Sequence, residues 1–310
     1  MKAFLFLATL LLAHDASAQA AKQPPPATNT TPATWCRFVP ERCDDFAWEN
    51  DLLAFRAYGP ALRRAKSTEN SGVDVWLKRV QYPIIDRWYD LNTKGFCYHA
   101  DFGEGYDPYH TGLSRGCGGT AIWKDGEMVL AGPFKEWKII SREPKKSVFT
   151  LTYDYDLGGE AIREVKEITI ELGQRLFRSQ STFTKSGQPV AGLEVAVGIT
   201  THNGKAKVTL DPAKGWMSCW ETIDKKGLGT GVVIAPDSIA AMKEHESPAN
   251  KERHALLVTR TDAAGVTVHY AGYGWEGAKA ITTAEQWQDY LTQFAAALPK
   301  GKNPDLKEAK

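Results

Sequence analysis

In "FTLTYDYD", residues 149–156, Phe149, Leu151, Tyr153 and Tyr155 alternate strictly with Thr150, Thr152, Asp154 and Asp156. Successive side chains of a strand point to opposite faces, so this spacing predicts a strand with one buried face. The pattern returns at Leu193, Val195, Val197 and Ile199, with Glu194, Ala196, Gly198 and Thr200 on the other face, where His202 also falls. In "EVKEITIEL" the apolar phase shifts between Val165 and Ile168, which predicts a β-bulge. Further strands are expected over residues 74–82, 176–184, 231–235, 255–261 and 266–270. The last puts Val266, Val268 and Tyr270 on one side and Thr267 with His269 on the other.

Only residues 282–298 read as a helix. Trp287, Leu291, Phe294 and Leu298 recur at helical spacing, and Thr282 with Glu285 makes a capping box. No strand–helix rhythm suggests a doubly wound or α/β barrel fold, and no internal repeat suggests a propeller. The expected fold is therefore all-β, a large antiparallel β-sandwich with a C-terminal helix.

The chain begins "MKAFLFLATLLLAHDASAQA", with an apolar run over residues 3–12 and Ala16-Ser17-Ala18 after it. This is expected to be a secretory signal over residues 1–18, its run too short for a permanent membrane span. No cysteine follows where a lipidated leader would carry one, so a periplasmic or secreted protein without a membrane anchor is expected. Residues 19–34, rich in proline and threonine, read as a disordered lead-in; 35–298 reads as a single sandwich domain and 299–310 as a polar tail. With 38 basic and 37 acidic residues and no basic block, nucleic acid and anionic membranes are not expected partners. Cys36, Cys43, Cys97, Cys117 and Cys219 cannot all pair with one another. Cys36 with Cys43, and Cys97 with Cys117, are the pairs that spacing suggests, and sequence does not fix the connectivity. No CxxC or HExxH motif supports a zinc site, and no cofactor is expected; calcium at Glu104 and Asp101 lacks the full loop pattern.

The densest chemistry lies in "YHADFGEGYDPYHTGLSRGCGG", residues 98–119, where two histidines, three acids, three tyrosines and Arg115 sit among six glycines. A segment with so little to bury and so many proton-handling groups is a candidate active-site loop. Together with "FAWENDLLAFRAYGPAL" (46–62), "VDVWLKR" (73–79) and "HYAGYGW" (269–275), it resembles the bacterial domain-of-unknown-function family numbered 4861, over nearly the whole chain beyond its leader. The resemblance implies the supersandwich fold of galactose mutarotase and polysaccharide lyase domains. It also implies an extracytoplasmic carbohydrate-active role in the breakdown of acidic plant and algal polysaccharides. Through a relative regarded as an oligosaccharide dehydratase of ulvan fragments, it further suggests elimination chemistry.

Elimination from a sugar needs a base for a carbon-bound proton, an acid for the departing oxygen and a cation for the developing charge. His99 or His110 is the expected base and Tyr109 or Tyr106 the acid. Arg115 is expected on a carboxylate, sulfate or oxyanion, since its planar fork binds such groups through two hydrogen bonds. Substrate contacts are expected from Trp48 and Asn50 in "AWEND", from Glu104, from His202 and from Trp275 and Glu276 in "GYGWEG". Against these stand ordinary roles: Asp107 before Pro108 as a turn starter, Arg115 as a surface bridge to Asp101 or Asp107, Glu49 and Asp51 as strand-end charges. The function expected is β-elimination on uronate or sulfated oligosaccharides, by a lyase or dehydratase. The alternatives are a mutarotase-like epimerase working through His202 and Glu276, and a carbohydrate-binding protein without catalysis.

Overall fold

The computed structural model describes residues 23–64, without the side chains of residues 63 and 64, and residues 70–298. The expected signal, the first four residues of the lead-in and the polar tail lie outside the described residues.

Three antiparallel sheets build the molecule. The first runs in chain order: β1 (Trp35–Val39), β2 (Asp45–Glu49), β3 (Ala54–Ala57), β4 (Val73–Lys78) and β5 (Gly105–Tyr106). The second contains β6 (Cys117–Lys124), β7 (Glu127–Val129), β13 (Glu194–Thr200), β17 (Ile239–Glu246) and β18 (Arg253–Arg260), in the order β17-β18-β13-β6-β7. The large third sheet takes β8 (Glu136–Glu143), β9 (Lys146–Asp156), β10 (Ala161–Glu171), β11 (Leu176–Lys185), β12 (Gln188–Pro189), β14 (Lys207–Asp211), β15 (Trp216–Ile223), β16 (Lys226–Val233) and β19 (Val266–Trp275). Its order is β14-β15-β16-β19-β11-β10-β9-β8, with β12 paired to β11.

A parallel bridge between Val73 and Gly116 ties the first sheet to the second. Both press their apolar faces on the large sheet. Phe46 stacks on Phe149 at 4.5 Å and Trp48 meets Phe177 edge-on at 5.6 Å, while Val195, Val197 and Leu257 bring the second sheet into the same core. The alternation in β9 is realised as read: Phe149, Leu151, Tyr153 and Tyr155 all face this interior.

Several expectations are corrected. No bulge interrupts β10, whose register with β9 is unbroken from Ala161 to Glu171. The strand keeps its phase by turning Glu164 and Lys166 inward, 0 % and 3 % exposed, and Val165 outward. The strand expected over 74–82 stops at Lys78, and a second helix, α2 (Ile85–Thr93), follows the short α1 (Ala61–Arg64). Its Trp88 and Tyr89 pack on Trp76. Its first amides are satisfied from a distance, since Ile84 and Ile85 N–H donate to the buried Glu49 carboxylate at 2.8–2.9 Å, where Lys78 Nζ also donates at 2.7 Å. Glu49 is thus an internal cap and no surface charge. The cap of α3 (Ala284–Ala297) is Thr283 and not Thr282, its hydroxyl accepting from Gln286 N–H.

All five cysteines are free thiols, with Cys36, Cys117 and Cys219 buried. Among the described residues no helix is long and apolar enough to cross a membrane.

Candidate active site

β3 and β4 send Phe55 and Val75 into the core, so the alternation of a strand sends Arg56 and Asp74 to the opposite face, where they are direct cross-strand partners. That face is not left to water. Residues 98–112 fold across it, closed by the Asp107 N–H donating to the Tyr98 carbonyl at 2.9 Å. The crossing requires glycine at 105: its φ is +118°, and a Cβ there would lie 1.9 Å from the Leu77 carbonyl oxygen.

Under this cover one guanidinium serves three carboxylates. Arg56 Nη2 lies 2.6 Å from Asp74 Oδ2 and donates to Asp107 Oδ2 at 3.1 Å, and its Nε is 3.8 Å from Asp45 Oδ2. Arg42 reaches Asp45 from the rim at 3.1 Å and remains 29 % exposed. The guanidinium of Arg56 also faces the rings of Trp76, Tyr58 and Tyr98 at 5.2–5.7 Å. Burial, reinforced by the charge of Asp74, pushes the Asp107 carboxyl well above its ordinary range against the pull of Arg56. Burial likewise raises Asp45 to about 6, opposed by Arg56 and Arg42.

His99 stands at the mouth of this cluster. Its Nδ1 is 2.6 Å from the Asp107 carbonyl oxygen and 3.5 Å from the Asp107 carboxylate, and its side chain is 56 % exposed. A carbonyl oxygen can only accept, so it takes the proton from Nδ1, and the neutral ring then carries its lone pair on Nε2. The neighbouring Tyr98 stacks on Trp76 at 5.0 Å, and its ring faces the Arg56 guanidinium at 5.7 Å. A solvent-facing imidazole, a tyrosine beside an arginine and a carboxyl pushed upward are the parts of a proton-transfer site.

The other expected residues lie elsewhere. His202 holds Glu221 at 2.7 Å through Nδ1 and the His110 carbonyl at 2.9 Å through Nε2, so both nitrogens face acceptors and neither lone pair is free for a substrate proton. Tyr109 sits edge-on to that ring at 4.8 Å, buried, its hydroxyl without a hydrogen-bond partner and held well above its ordinary range by burial. His110 is exposed. Tyr106 donates to Asp224 at 2.9 Å, which with burial raises its phenol.

Arg115 is 1 % exposed, and it is corrected from anion binder to internal tie. It donates to Ser71 Oγ at 2.7 Å and to the Thr120 and Leu113 carbonyls, and burial pulls its guanidinium down to about 10. Trp48 is corrected in the same way, fully buried between Phe55, Phe149 and Phe177 with no face left for a sugar. Asn50 spends its amide on the Glu171 and Gln174 carbonyls and its oxygen on the Leu52 and Leu53 amides. Glu104 is held by Tyr82, Arg87 and Trp88 at 2.8–3.0 Å, which occupies the oxygens a calcium ion would need. Trp275 is buried beneath Arg79 at 4.8 Å, and Glu276 accepts from the Gly227 amide at 2.6 Å. No cluster of three or more metal-ligating side chains occurs among the described residues.

Sequence reasoning found His99 but passed over Arg56, Asp74 and Asp45, and read Asp107 as a turn residue. One signal was available: Arg56 inside "AFRA" and Asp74 inside "VDVWLK", among apolar neighbours on both faces, announce a second covered face.

Among curated proteins, "Uncharacterized protein P7" of Formosa agariphila is 35% identical over 281 residues, covering 87% of this chain and 69% of that protein. Among solved structures, the galactosidase domain of an alpha-galactosidase-sucrose kinase matches with a TM-score of 0.38 and 8% identity over 77% of this chain and 42% of that one. The GH36 alpha-galactosidase AgaB from Geobacillus stearothermophilus matches with a TM-score of 0.39 and 6% identity over 77% and 41%. The chain therefore spans about two fifths of the length of these structures. A family model for DUF4861, a domain of unknown function, matches residues 10–301, and the chain belongs to that family.

Proposed function

We propose that this protein is an exported carbohydrate-active enzyme that acts on acidic oligosaccharides by β-elimination, as a dehydratase or lyase, with His99 as the base. The observation that carries this is the half-exposed His99 imidazole, anchored through Nδ1 on the Asp107 carbonyl at the mouth of the Arg56 cluster. In the reaction Nε2 takes the proton α to a uronate carboxylate. The C–H pair becomes the new double bond, the C–O bond breaks, and the leaving oxygen takes a proton. The Asp107 carbonyl, already accepting from Nδ1, stabilises the imidazolium as it forms. Tyr98 donates to the leaving oxygen, and Arg42, the partly exposed cation of the cluster, faces the substrate carboxylate. The epimerase alternative loses its pair, because His202 and Glu276 are both engaged in internal hydrogen bonds.

The test is turnover of a panel of uronate-containing and sulfated oligosaccharides, followed by the ultraviolet absorbance of a conjugated uronate and by mass spectrometry. A product lighter by one water identifies a dehydratase, and an unsaturated fragment identifies a lyase. His99→Gln is expected to lower the rate by ~10²–10⁴-fold without loss of folding. Unchanged turnover in His99→Gln, or no change in mass across the panel, overturns the assignment.

A further inference from the structure

The large sheet has a second face, turned away from the core, and across β9, β10, β11 and β19 it carries a groove of about 540 Å³. Its floor is set by register. Val148, Thr169, Arg178 and Tyr270 are successive cross-strand partners, and Thr150, Glu167, Gln180 and Val268 form the next row. Phe294 of α3 makes one wall and meets Tyr270 edge-on at 5.1 Å. The groove lies across the sandwich from His99, since Phe149 and Phe177 on its strands point the other way, into the core that β2 and β3 close.

The lining selects a chemical class. Lys146 and Arg178 balance Glu167 and Glu171, and Lys146 is spent on Glu171 at 3.0 Å, so no net charge recruits a polyanion. Leu176, Tyr270, Phe294 and Leu298 cluster at the α3 wall, while Thr169, Arg178, Gln180 and the charged side chains line the rest, so the apolar surface does not run the length a partner helix would need. What the groove offers is an aromatic face beside half-buried side chains that both donate and accept, Gln180 among them, fixed by Arg178 Nη2 at 2.7 Å. A sugar presents the complement, an apolar C–H face with hydroxyls at its rim, and the volume is that of an ordinary small-molecule site.

We infer that this groove is a second, non-catalytic binding site for a short linear oligosaccharide, stacked on Tyr270 and Phe294 and hydrogen bonded by the Thr169 and Gln180 rows. The inference rests on the carbohydrate reading of the protein but not on elimination or on His99.

The experiment is affinity electrophoresis and calorimetry of the full chain with two uncharged probes, galactomannan and hydroxyethylcellulose. The groove predicts binding of at least one probe. Its Kd rises about tenfold or more in Thr169→Trp, which fills the floor, and in Gln180→Ala, which removes one side chain from an exposed face. Kd is unchanged in His99→Gln, and it varies by less than about twofold with added salt because no net charge is neutralised. Failure of the unsubstituted protein to bind either probe, unchanged Kd in both groove variants, or a steep salt dependence each overturns the proposal. Groove-dependent binding without turnover of any oligosaccharide leaves it standing and removes only the elimination chemistry.

Discussion

Arg56 decides the outer face of the first sheet. A guanidinium 3 % exposed is tolerated only because Asp74, Asp107 and Asp45 lie within 3.8 Å of it, and removing one partner of such a group costs far more than a surface pair. Arg56→Met is expected to lower the unfolding free energy by about 3–5 kcal/mol in urea titrations. A loss below about 1 kcal/mol would mean that the cluster relaxes into solvent instead. Asp45 adds a pH term of definite sign. Its carboxyl is raised by burial from 3.8 to about 6, so the folded state holds the proton more tightly. That contribution is complete below the unfolded value and is lost as pH rises through about 6. Asp45→Asn keeps an oxygen for the Gly59 amide and removes this contribution of about 1–3 kcal/mol, so stability in the variant should rise more steeply with pH over that window than in the parent. Equal slopes in the two proteins would assign the titration to another group.

At the scale of elements, β10 shows why a local reading misses what a sheet can bury. The apparent phase shift at Val165 assumed that interior positions are apolar. Glu164 escapes the assumption by accepting from Tyr155 at 2.7 Å, Thr120 at 2.9 Å and Ser181 at 2.5 Å. Lys166 escapes it by lying 3.6 Å from Glu164 and 4.6 Å above the Tyr153 ring. None of these partners except Lys166 is near in sequence, so no window along the chain reveals them. The same reason hid α2, whose amides are capped by Glu49 from 35 and 36 residues away. Glu164→Leu alone strands a buried ammonium and should cost about 3–5 kcal/mol, while Glu164→Leu with Lys166→Met should cost less than either single change predicts by addition. Additivity within about 0.5 kcal/mol, measured by a double-mutant cycle, would show that the two charges do not sense each other.

For the whole molecule, the period-two pattern made the sandwich legible where a strand shows an apolar face to one layer only, as β9 does. The candidate site was half legible, since His99 announces itself by type whereas Arg56 and Asp74 become unusual only once residues 98–112 bury them. The interior between the layers then sets how the molecule meets acid. His254 accepts the Arg115 amide at Nε2 over 3.2 Å, a bond that a protonated ring cannot make, and His269 bonds the Gly118 carbonyl at 3.0 Å inside the sandwich. Burial holds both imidazoles down to about 3, aided by the charge of Arg115 for His254 and of Lys166 for His269. A folded value below the unfolded 6.5 means that the unfolded chain binds more protons, so stability falls as pH drops below 6.5. Each histidine removes about 2 kcal/mol by about pH 5, which outweighs the opposite slope of the single Asp45. Urea midpoints near neutral pH and near pH 5 should therefore separate widely in the parent. In His269→Gln, whose amide can still donate to Gly118, the separation should shrink by the share of one histidine. If the separation is unchanged in that variant and in His254→Gln, the acid sensitivity does not belong to these two buried histidines, and the raised carboxyls of the Arg56 cluster, whose sign is opposite, cannot supply it.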